Sequence, residues 1–335
     1  MAISPFGRRA FLAAGLTLVA AGCAAPTPAS APSPAASPIS VPHAFGVTTL
    51  PAPPARVVLV GFKEQDAFLA LGTAPVGIRE WFGGKPNAVW PWATSYLNGA
   101  QPTVLPRADI AYEQVAALRP DVIVGLTAGL TREQYDRLSG IAPTVAQPTE
   151  AGDYTITWQE ITRTAGRILG KDAEAERLVA DLEARIVQTR TAHPEFAGAS
   201  MVLASATGGQ HYLFGPGATG AQLLGQLGLT VPDEVARLAD NADAYYILSP
   251  ERFDLLDVDL AVWSEAATDE GPAALLVDPL YTRLPVHAEG RDVFLGLDRD
   301  NGALMFASVL SIPMVLDEIV PRLSRAIDGD PATAA

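Results

Sequence analysis

The chain has 335 residues, of which 49% are hydrophobic and 18% charged, and its formal net charge at pH 7 is −14. This balance argues against a nucleic-acid partner, because phosphate binding rests on Lys and Arg, and against electrostatic docking on anionic lipid. A single Cys rules out a disulfide framework, so stability must come from the burial of apolar side chains.

The first predicted element is a leader over residues 1–22. Arg8 and Arg9 precede an uncharged run that ends at Gly22, in the order of a secretory signal. The run is shorter than the ~20 residues that a spanning helix needs. The segment resembles a bacterial lipoprotein signal with Cys23 as the lipidated residue, and its Arg pair also resembles a twin-arginine export signal. We expect a mature chain of charge −16 that begins at Cys23, anchored by lipid to the outer face of the cell membrane; the alternative is a plain secretory peptide with an incidental Cys.

A tract rich in Ala, Pro, Ser and Thr follows at residues 23–42. Such a composition cannot bury a core and favours extended, solvated conformations. The tract is therefore predicted to be a tether between the lipid and the folded protein.

Residues 43–156 are predicted to form an N-terminal α/β lobe. Short apolar runs alternate with helical segments, and the runs do not alternate polar with apolar residues, which favours a parallel sheet covered on both faces. The predicted strands are Val57–Val60, Val76–Ile78, Asp121–Gly125 and Thr144–Val145, and the predicted helices are Glu64–Leu71, Tyr112–Leu118 and Arg132–Leu138.

Residues 157–193 have helical spacing without strands, and Gly170-Lys171-Asp172 predicts one helix end and a new start. The second helix, about Ala173–Thr191, would join the first lobe to a C-terminal α/β lobe at residues 194–328. In that lobe we predict strands at Ser200–Ala204, Tyr212–Phe214, Leu260–Trp263 and Val293–Leu295, and helices at Ala218–Leu227, Pro250–Leu256 and Leu304–Ala326. The predicted fold is α/β, with two mainly parallel lobes joined by one long helix and a ligand cleft between them.

Four segments, in this order along the chain, resemble the substrate-binding lipoproteins of ABC importers for iron–siderophores, haem and cobalamin. They are Arg56–Gly77, Tyr112–Ile123, Leu248–Val262 and Ser308–Asp317. The resemblance implies capture of an iron–siderophore and delivery to an ABC permease by a monomer without catalysis. No cofactor is implied, since ferric iron travels within the ligand. Haem or cobalamin is the alternative within the family, and an exported α/β hydrolase the alternative from another class.

Candidate ligand contacts follow the predicted strands, because ligands of open α/β sheets bind outside the carboxyl ends of the strands. The aromatic and cationic candidates are Arg79, Trp81, Trp90, Trp92, His211, Tyr212, Tyr245, Trp263 and Arg299. Each aromatic residue has core packing as its alternative role, and each Arg has a surface ion pair. The many aromatics and few cations predict a relatively neutral chelate, such as a hydroxamate or mixed type.

Glu113 and Glu251 each open a helix that precedes an apolar strand, one in each lobe. An acidic residue is favourable at a helix N-terminus, so a purely structural role explains both. The family resemblance implies instead that these residues meet Arg residues of the permease. We expect this docking role, and helix capping by the same residues is compatible with it.

Two other motifs suggest different chemistry. The run Gly215–Gly220 fits the dinucleotide-binding pattern G-x-G-x-x-G, but Pro216 falls where backbone N–H groups must face the phosphates. His211 with Tyr212 suggests axial haem ligation. The four His residues are scattered, which argues against a bare metal site, and no nucleophile–base pair is evident.

Overall fold

A computed structural model describes residues 38–148, 156–207, 209–240, 244–264, 270–296 and 299–332. Cys23, the leader and most of the predicted tether lie outside the described residues. The tether prediction is wrong at its end, because residues 39–42 belong to strand β1 (Ile39–His43), which pairs antiparallel with β2 (Gly46–Leu50). Val41 and His43 are buried and their neighbours Ser40 and Pro42 are exposed, so this strand covers the first lobe with one face.

The first lobe contains a five-stranded sheet in which every pair is parallel, in the order β5-β4-β3-β6-β7. Its elements are β3 (Val57–Leu59), α1 (Gln65–Ala70), β4 (Gly77–Arg79), β5 (Thr103–Leu105), α2 (Tyr112–Ala117), β6 (Val122–Gly125), α3 (Arg132–Ser139) and β7 (Thr144–Ala146), with 3₁₀ turns at Pro86–Ala88 and Pro91–Leu97. Val57 and Leu59 pack into one core cluster and Val58 into another, so the sheet is buried on both faces as the apolar runs predict.

Two helices lead out of the first lobe. Helix α4 (Trp158–Leu169) ends at Gly170, whose φ of +65° is the left-handed conformation that glycine adopts without strain. Helix α5 (Asp172–Ala192) spans ~31 Å at 1.5 Å per residue. Ala175, near its start, packs in the core of the first lobe, and Ile186, near its end, packs in the core of the second. This helix is therefore the predicted connection between the lobes.

The second lobe contains a mixed sheet in the order β10-β9-β8-β11-β12, in which β8, β11 and β12 are parallel and β9 and β10 antiparallel. Its elements up to the last strand are β8 (Met201–Thr207), β9 (Gln210–Phe214), α6 (Thr219–Gln226), α7 (Asp233–Leu238), β10 (Tyr245–Leu248), β11 (Leu260–Ser264), α8 (Glu270–Val277), α9 (Pro285–Ala288) and β12 (Asp292–Phe294), with 3₁₀ turns at Pro194–Phe196 and Pro250–Leu256.

The predicted C-terminal helix Leu304–Ala326 is interrupted. The chain forms α10 (Arg299–Phe306), α11 (Ile312–Met314), a π turn (Val315–Ile319) and α12 (Val320–Ala326). Ala307 has a φ of +40°, and the Ser311 hydroxyl accepts from the Ser308 N–H at 2.8 Å and donates to the Ala303 carbonyl at 2.9 Å. Side-chain hydrogen bonds thus replace the helical ones at the break. In the described part of the chain, no helix is both long and apolar enough to cross a membrane.

Candidate ligand site between the lobes

A cavity of about 350 Å³ lies between the two lobes. The first lobe contributes Lys63 and Trp81, and the second lobe contributes Phe214, Ala218, Thr219, Tyr245 and Met305. Most of this wall is apolar or aromatic, which is the usual composition of a small-molecule site. Because both lobes line it, a bound molecule would contact both.

Of the described residues that line the cavity, Lys63 is the charged one. It precedes α1, is 3% exposed, and donates from Nζ to the Thr219 hydroxyl of the second lobe at 2.5 Å. Burial lowers the pKa of Lys63 to about 8, and the neighbouring Glu64 acts in the opposite direction. The Lys63 amine is therefore still mainly protonated at pH 7, although the side chain is almost inaccessible to water.

Five aromatic side chains form what we call the interlobe cluster: Trp81, Phe82, Trp90, Trp92 and Phe306. Phe306 comes from α10 of the second lobe, and its ring centroid lies 4.9 Å from that of Trp81 and 5.6 Å from that of Trp90. A Cβ atom on Gly302 would lie 2.4 Å from the Trp90 ring. Helix α10 therefore needs glycine at this position to admit the indole.

A buried carboxyl group joins the lobes beside this cluster. Asp66 of α1 accepts from the Trp92 indole N–H at 2.8 Å and from the Ser308 hydroxyl of the second lobe. Its other oxygen has no hydrogen-bond partner among the described residues. Burial raises the pKa of Asp66 to about 6 despite the two donors. The break after α10 positions Ser308 for this contact.

Of the predicted ligand contacts, Trp81 and Tyr245 line the cavity. Trp90 is 2% exposed and stacks on Trp92 with centroids 5.1 Å apart, so neither indole contributes to the described wall. Trp92 packs against the cores of both lobes. The structure thus places these two tryptophans in the contact between the lobes, which is the packing role that the sequence left open.

The predicted contacts of the second lobe separate onto two faces of its sheet. Tyr212 shares a face of β9 with Phe214, and its ring meets that of Tyr245 edge-on at 5.4 Å, behind the cavity wall. His211 lies on the other face, where its ring contacts Phe253 and Trp263. His211 and Tyr212 therefore lie on opposite faces of β9 and do not converge on one point.

Trp263 lies in the core on the same face as His211. It is 1% exposed, and its indole N–H donates to the Tyr281 hydroxyl at 2.8 Å, which in turn donates to Asp292 at 2.7 Å. Burial raises the pKa of Tyr281, so the phenol keeps its proton. This satisfied network explains Trp263 without a ligand.

Both predicted arginines have protein partners away from the cavity wall. Arg79 is the last residue of β4, donates to the carbonyls of Val60 and Arg107, and lies 4.4 Å over the Phe62 ring. Arg299 is exposed and pairs with Glu318 on the C-terminal helices. Arg79 supports the loops around the site, and Arg299 makes the surface ion pair that was its alternative role.

Glu113 and Glu251 are exposed, in the first turns of α2 and of the 3₁₀ turn Pro250–Leu256. A hydrogen bond with the Ser249 side chain lowers the pKa of Glu251, which keeps it ionised at neutral pH. Neither residue lines the cavity.

The other described residues that line the cavity are not among the candidates from the sequence: Lys63, Phe214, Ala218, Thr219 and Met305. Lys63 and Met305 belong to segments predicted as helix boundary or helix, and a search for aromatic and Arg residues after strands selects neither of them. The Gly215–Gly220 motif could have indicated Thr219, because the turn that it forms places Ala218 and Thr219 at the cavity. Two of its glycines serve packing: a Cβ at Gly215 would lie 2.9 Å from Ala239, and one at Gly220 would lie 2.9 Å from Leu203.

Across the described ranges, no group of three or more His, Cys, Asp or Glu could hold a metal ion.

Comparison with known proteins places the fold among solute receptors. A family profile described as periplasmic binding protein matches residues 66–296. A periplasmic solute binding protein from Mycobacterium smegmatis is 37% identical, with a TM-score of 0.77 over 87% of this chain and 99% of that one. The iron uptake ABC transporter substrate-binding protein PiaA from Streptococcus pneumoniae is 25% identical, with a TM-score of 0.71 over 87% of this chain and 100% of that one.

Curated relatives are similar over shorter regions. The probable siderophore-binding lipoprotein YfiY of Bacillus subtilis is 25% identical over 203 residues, 59% of either chain. The putative ABC transporter substrate-binding lipoprotein YhfQ of the same organism is 30% identical over 154 residues, 45% of this chain and 46% of the relative. The chain therefore matches about half of the length of these two relatives.

Proposed function

Because the chain belongs to the periplasmic binding protein family, we propose that it is a lipid-anchored extracytoplasmic receptor that captures an iron–siderophore and delivers it to an ABC permease. The observation that carries this proposal is the cavity between the lobes, with Trp81 on one side and Tyr245 and Phe214 on the other. The names of YfiY and PiaA, a siderophore-binding lipoprotein and an iron uptake protein, support iron–siderophore as the ligand class.

The geometry indicates how capture would work. Helix α5, the interlobe cluster and the Asp66–Ser308 contact hold the lobes together behind the cavity. Large motions of the lobes would break these contacts, so the wall is largely preformed and little ordering free energy is lost on binding. Aromatic faces would supply dispersion and burial to the organic shell of the chelate. Iron stays within its chelate, and no covalent step is required of the protein.

Ligand binding is tested with the protein lacking residues 1–22 and a panel of ferric siderophores, haem and cobalamin, followed by tryptophan fluorescence. We expect quenching by at least one ferric siderophore, because Trp81 lines the cavity. Trp81→Phe should lose most of the quenching while it retains an aromatic wall. Binding of haem or cobalamin alone would contradict the siderophore assignment, and binding of no panel member would contradict the function.

The anchor is tested by Cys23→Ala in the full chain. We expect the variant in the soluble fraction after carbonate washing, with wild type in the membrane pellet. A variant that stays in the pellet would contradict lipidation at Cys23.

Docking is tested by the double reversal Glu113→Arg plus Glu251→Arg. We expect ligand affinity near wild type, because neither residue lines the cavity, and a sharp fall in uptake, because opposed charges at a docking surface become like charges. The matched control is Glu183→Arg plus Glu289→Arg, which makes the same change of charge at two other exposed sites. Normal uptake by a folded Glu113/Glu251 variant would remove the docking role.

A further inference from the structure

The ammonium group of Lys63 has donor capacity beyond its contact with Thr219. A lysine ammonium carries three N–H donors, and among the described residues its hydrogen bond is to the Thr219 hydroxyl. The side chain is 3% exposed, so water is a poor substitute for further partners. A buried ammonium with unused donors is costly to the fold and is a strong partner for an anionic oxygen.

Among the described residues, Lys63 has one acidic neighbour that favours its charged form, and that neighbour is hydrogen-bonded elsewhere. The nearest acidic residue, Glu64, accepts from the Thr127 hydroxyl at 2.5 Å, and its carboxyl lies over Gly61. Burial raises the pKa of Glu64, and the hydrogen bonds that its carboxyl group accepts act in the opposite direction. The other described residues of the cavity wall are aromatic, aliphatic or hydroxyl-bearing. The described part of the wall therefore presents one positive point on an otherwise neutral surface.

We propose that Lys63 selects, within the iron–siderophore class, chelates that present one anionic oxygen to the base of the cavity on an otherwise neutral body. The ammonium turns from Thr219 toward that oxygen when the ligand enters. A carboxylate-bearing hydroxamate or a mixed hydroxamate–carboxylate chelate has this character. If a chelate carried several negative charges, Lys63 could pair with one of them. The others would face aromatic walls without a partner. This inference rests on the proposed function. It narrows the predicted ligand from a relatively neutral chelate to a chelate with a single negative charge.

The test uses one linear ferric trihydroxamate whose pendant amine is left free, acetylated or succinylated, so that the same iron centre carries a positive, a neutral or a negative group. Affinities are measured by calorimetry on the protein lacking residues 1–22. We expect wild type to bind the succinylated chelate more tightly than the acetylated one, by about 10- to 100-fold, the range of a charge-assisted hydrogen bond. The free amine should bind most weakly.

Three variants separate charge from packing. Lys63→Met should abolish the preference for the succinylated chelate and leave affinity for the acetylated one within a few-fold. Thr219→Val removes the hydroxyl to which Lys63 donates but keeps the ammonium, so the ratio of the affinities for the succinylated and acetylated chelates should persist. Lys85→Met deletes a charge that lies over the Trp90 ring and outside the cavity wall, and should keep the preference.

The outcomes distinguish this inference from the proposed function. Tight binding of the chelates by wild type without a charge preference, or a preference that survives Lys63→Met, overturns the role of Lys63 and leaves siderophore capture intact. Failure of wild type to bind the three chelates and every other ferric siderophore of the panel overturns both.

Discussion

Trp81 and Trp90 belong to one aromatic cluster around Phe306, yet they lie in two regions with different physical tasks. Trp81 is partly exposed and forms part of the cavity wall, whereas Trp90 is 2% exposed and fits against Gly302 of α10. The buried region packs the two lobes against each other, and the cavity region offers aromatic surface to a ligand. An aromatic residue near a cleft can therefore contact a ligand only where protein does not cover its ring.

The largest expected effect separates these two regions. Trp90→Ala should lower the free energy of unfolding by about 3–5 kcal/mol, because it leaves a cavity where the lobes meet. Urea unfolding measures this loss, with Tyr96→Ala, an exposed aromatic on the same lobe, as the control. A loss below about 1 kcal/mol would mean that the lobes close over the vacated space.

The second prediction concerns the buried carboxyl group. Its pKa is raised from 3.8 to about 6, so ionisation of Asp66 costs stability at neutral pH. Asp66→Asn keeps an acceptor oxygen for Trp92 and Ser308 and should raise the free energy of unfolding by about 3 kcal/mol at pH 7. Since the protonated acid is favoured in the fold, this gain should shrink as pH falls through 6 toward 4. Urea unfolding at pH 7 and pH 4.5 measures it, with the exposed Asp109→Asn as control; a gain independent of pH would contradict the assignment.

The third prediction concerns the cavity wall. Trp81→Ala should weaken siderophore binding by ~30-fold, about 2 kcal/mol, because an aromatic anchor is lost. Its effect on stability should be smaller than that of Trp90→Ala, since Trp81 is only partly buried whereas Trp90 is 2% exposed. Calorimetry and thermal melting on the same samples measure the two effects. Unchanged affinity with a large fall in melting temperature would assign Trp81 to the buried region as well.

The smallest expected effect is a pH dependence of ligand choice. Burial lowers the pKa of Lys63 to about 8, so the ammonium is lost as pH rises through this value, and a bound anion would shift the loss to higher pH. The groups that face it are Glu64 beside it and Tyr245 across the cavity. The preference for the succinylated over the acetylated chelate should fall between pH 7 and pH 9.5 in wild type, whereas Lys63→Met should show none at either pH. A constant preference in wild type would count against Lys63 as its source.

The amino-acid sequence by itself determined the architecture. Runs such as Val57–Leu59, apolar at every position, require burial on both faces and so indicate a covered parallel sheet. Gly170 and the spacing after it indicate the end of one helix and the start of the connecting one. These features are local, because each follows from the periodicity or the backbone freedom of a short segment.

The tertiary structure alone decided which residues line the site. Trp90, Trp92 and Trp263 have the same side chain as Trp81, and only packing across the lobes or within the second sheet assigns them to the interior. Lys63 and Thr219 lie 156 positions apart, so no local pattern predicts their hydrogen bond. The predicted helix Leu304–Ala326 is interrupted because the hydroxyls of Ser308 and Ser311 satisfy the backbone, and Ser308 then reaches Asp66 in the other lobe. Periodicity determines which face of a segment is buried, and the partner that buries it is known only once the distant segments have met.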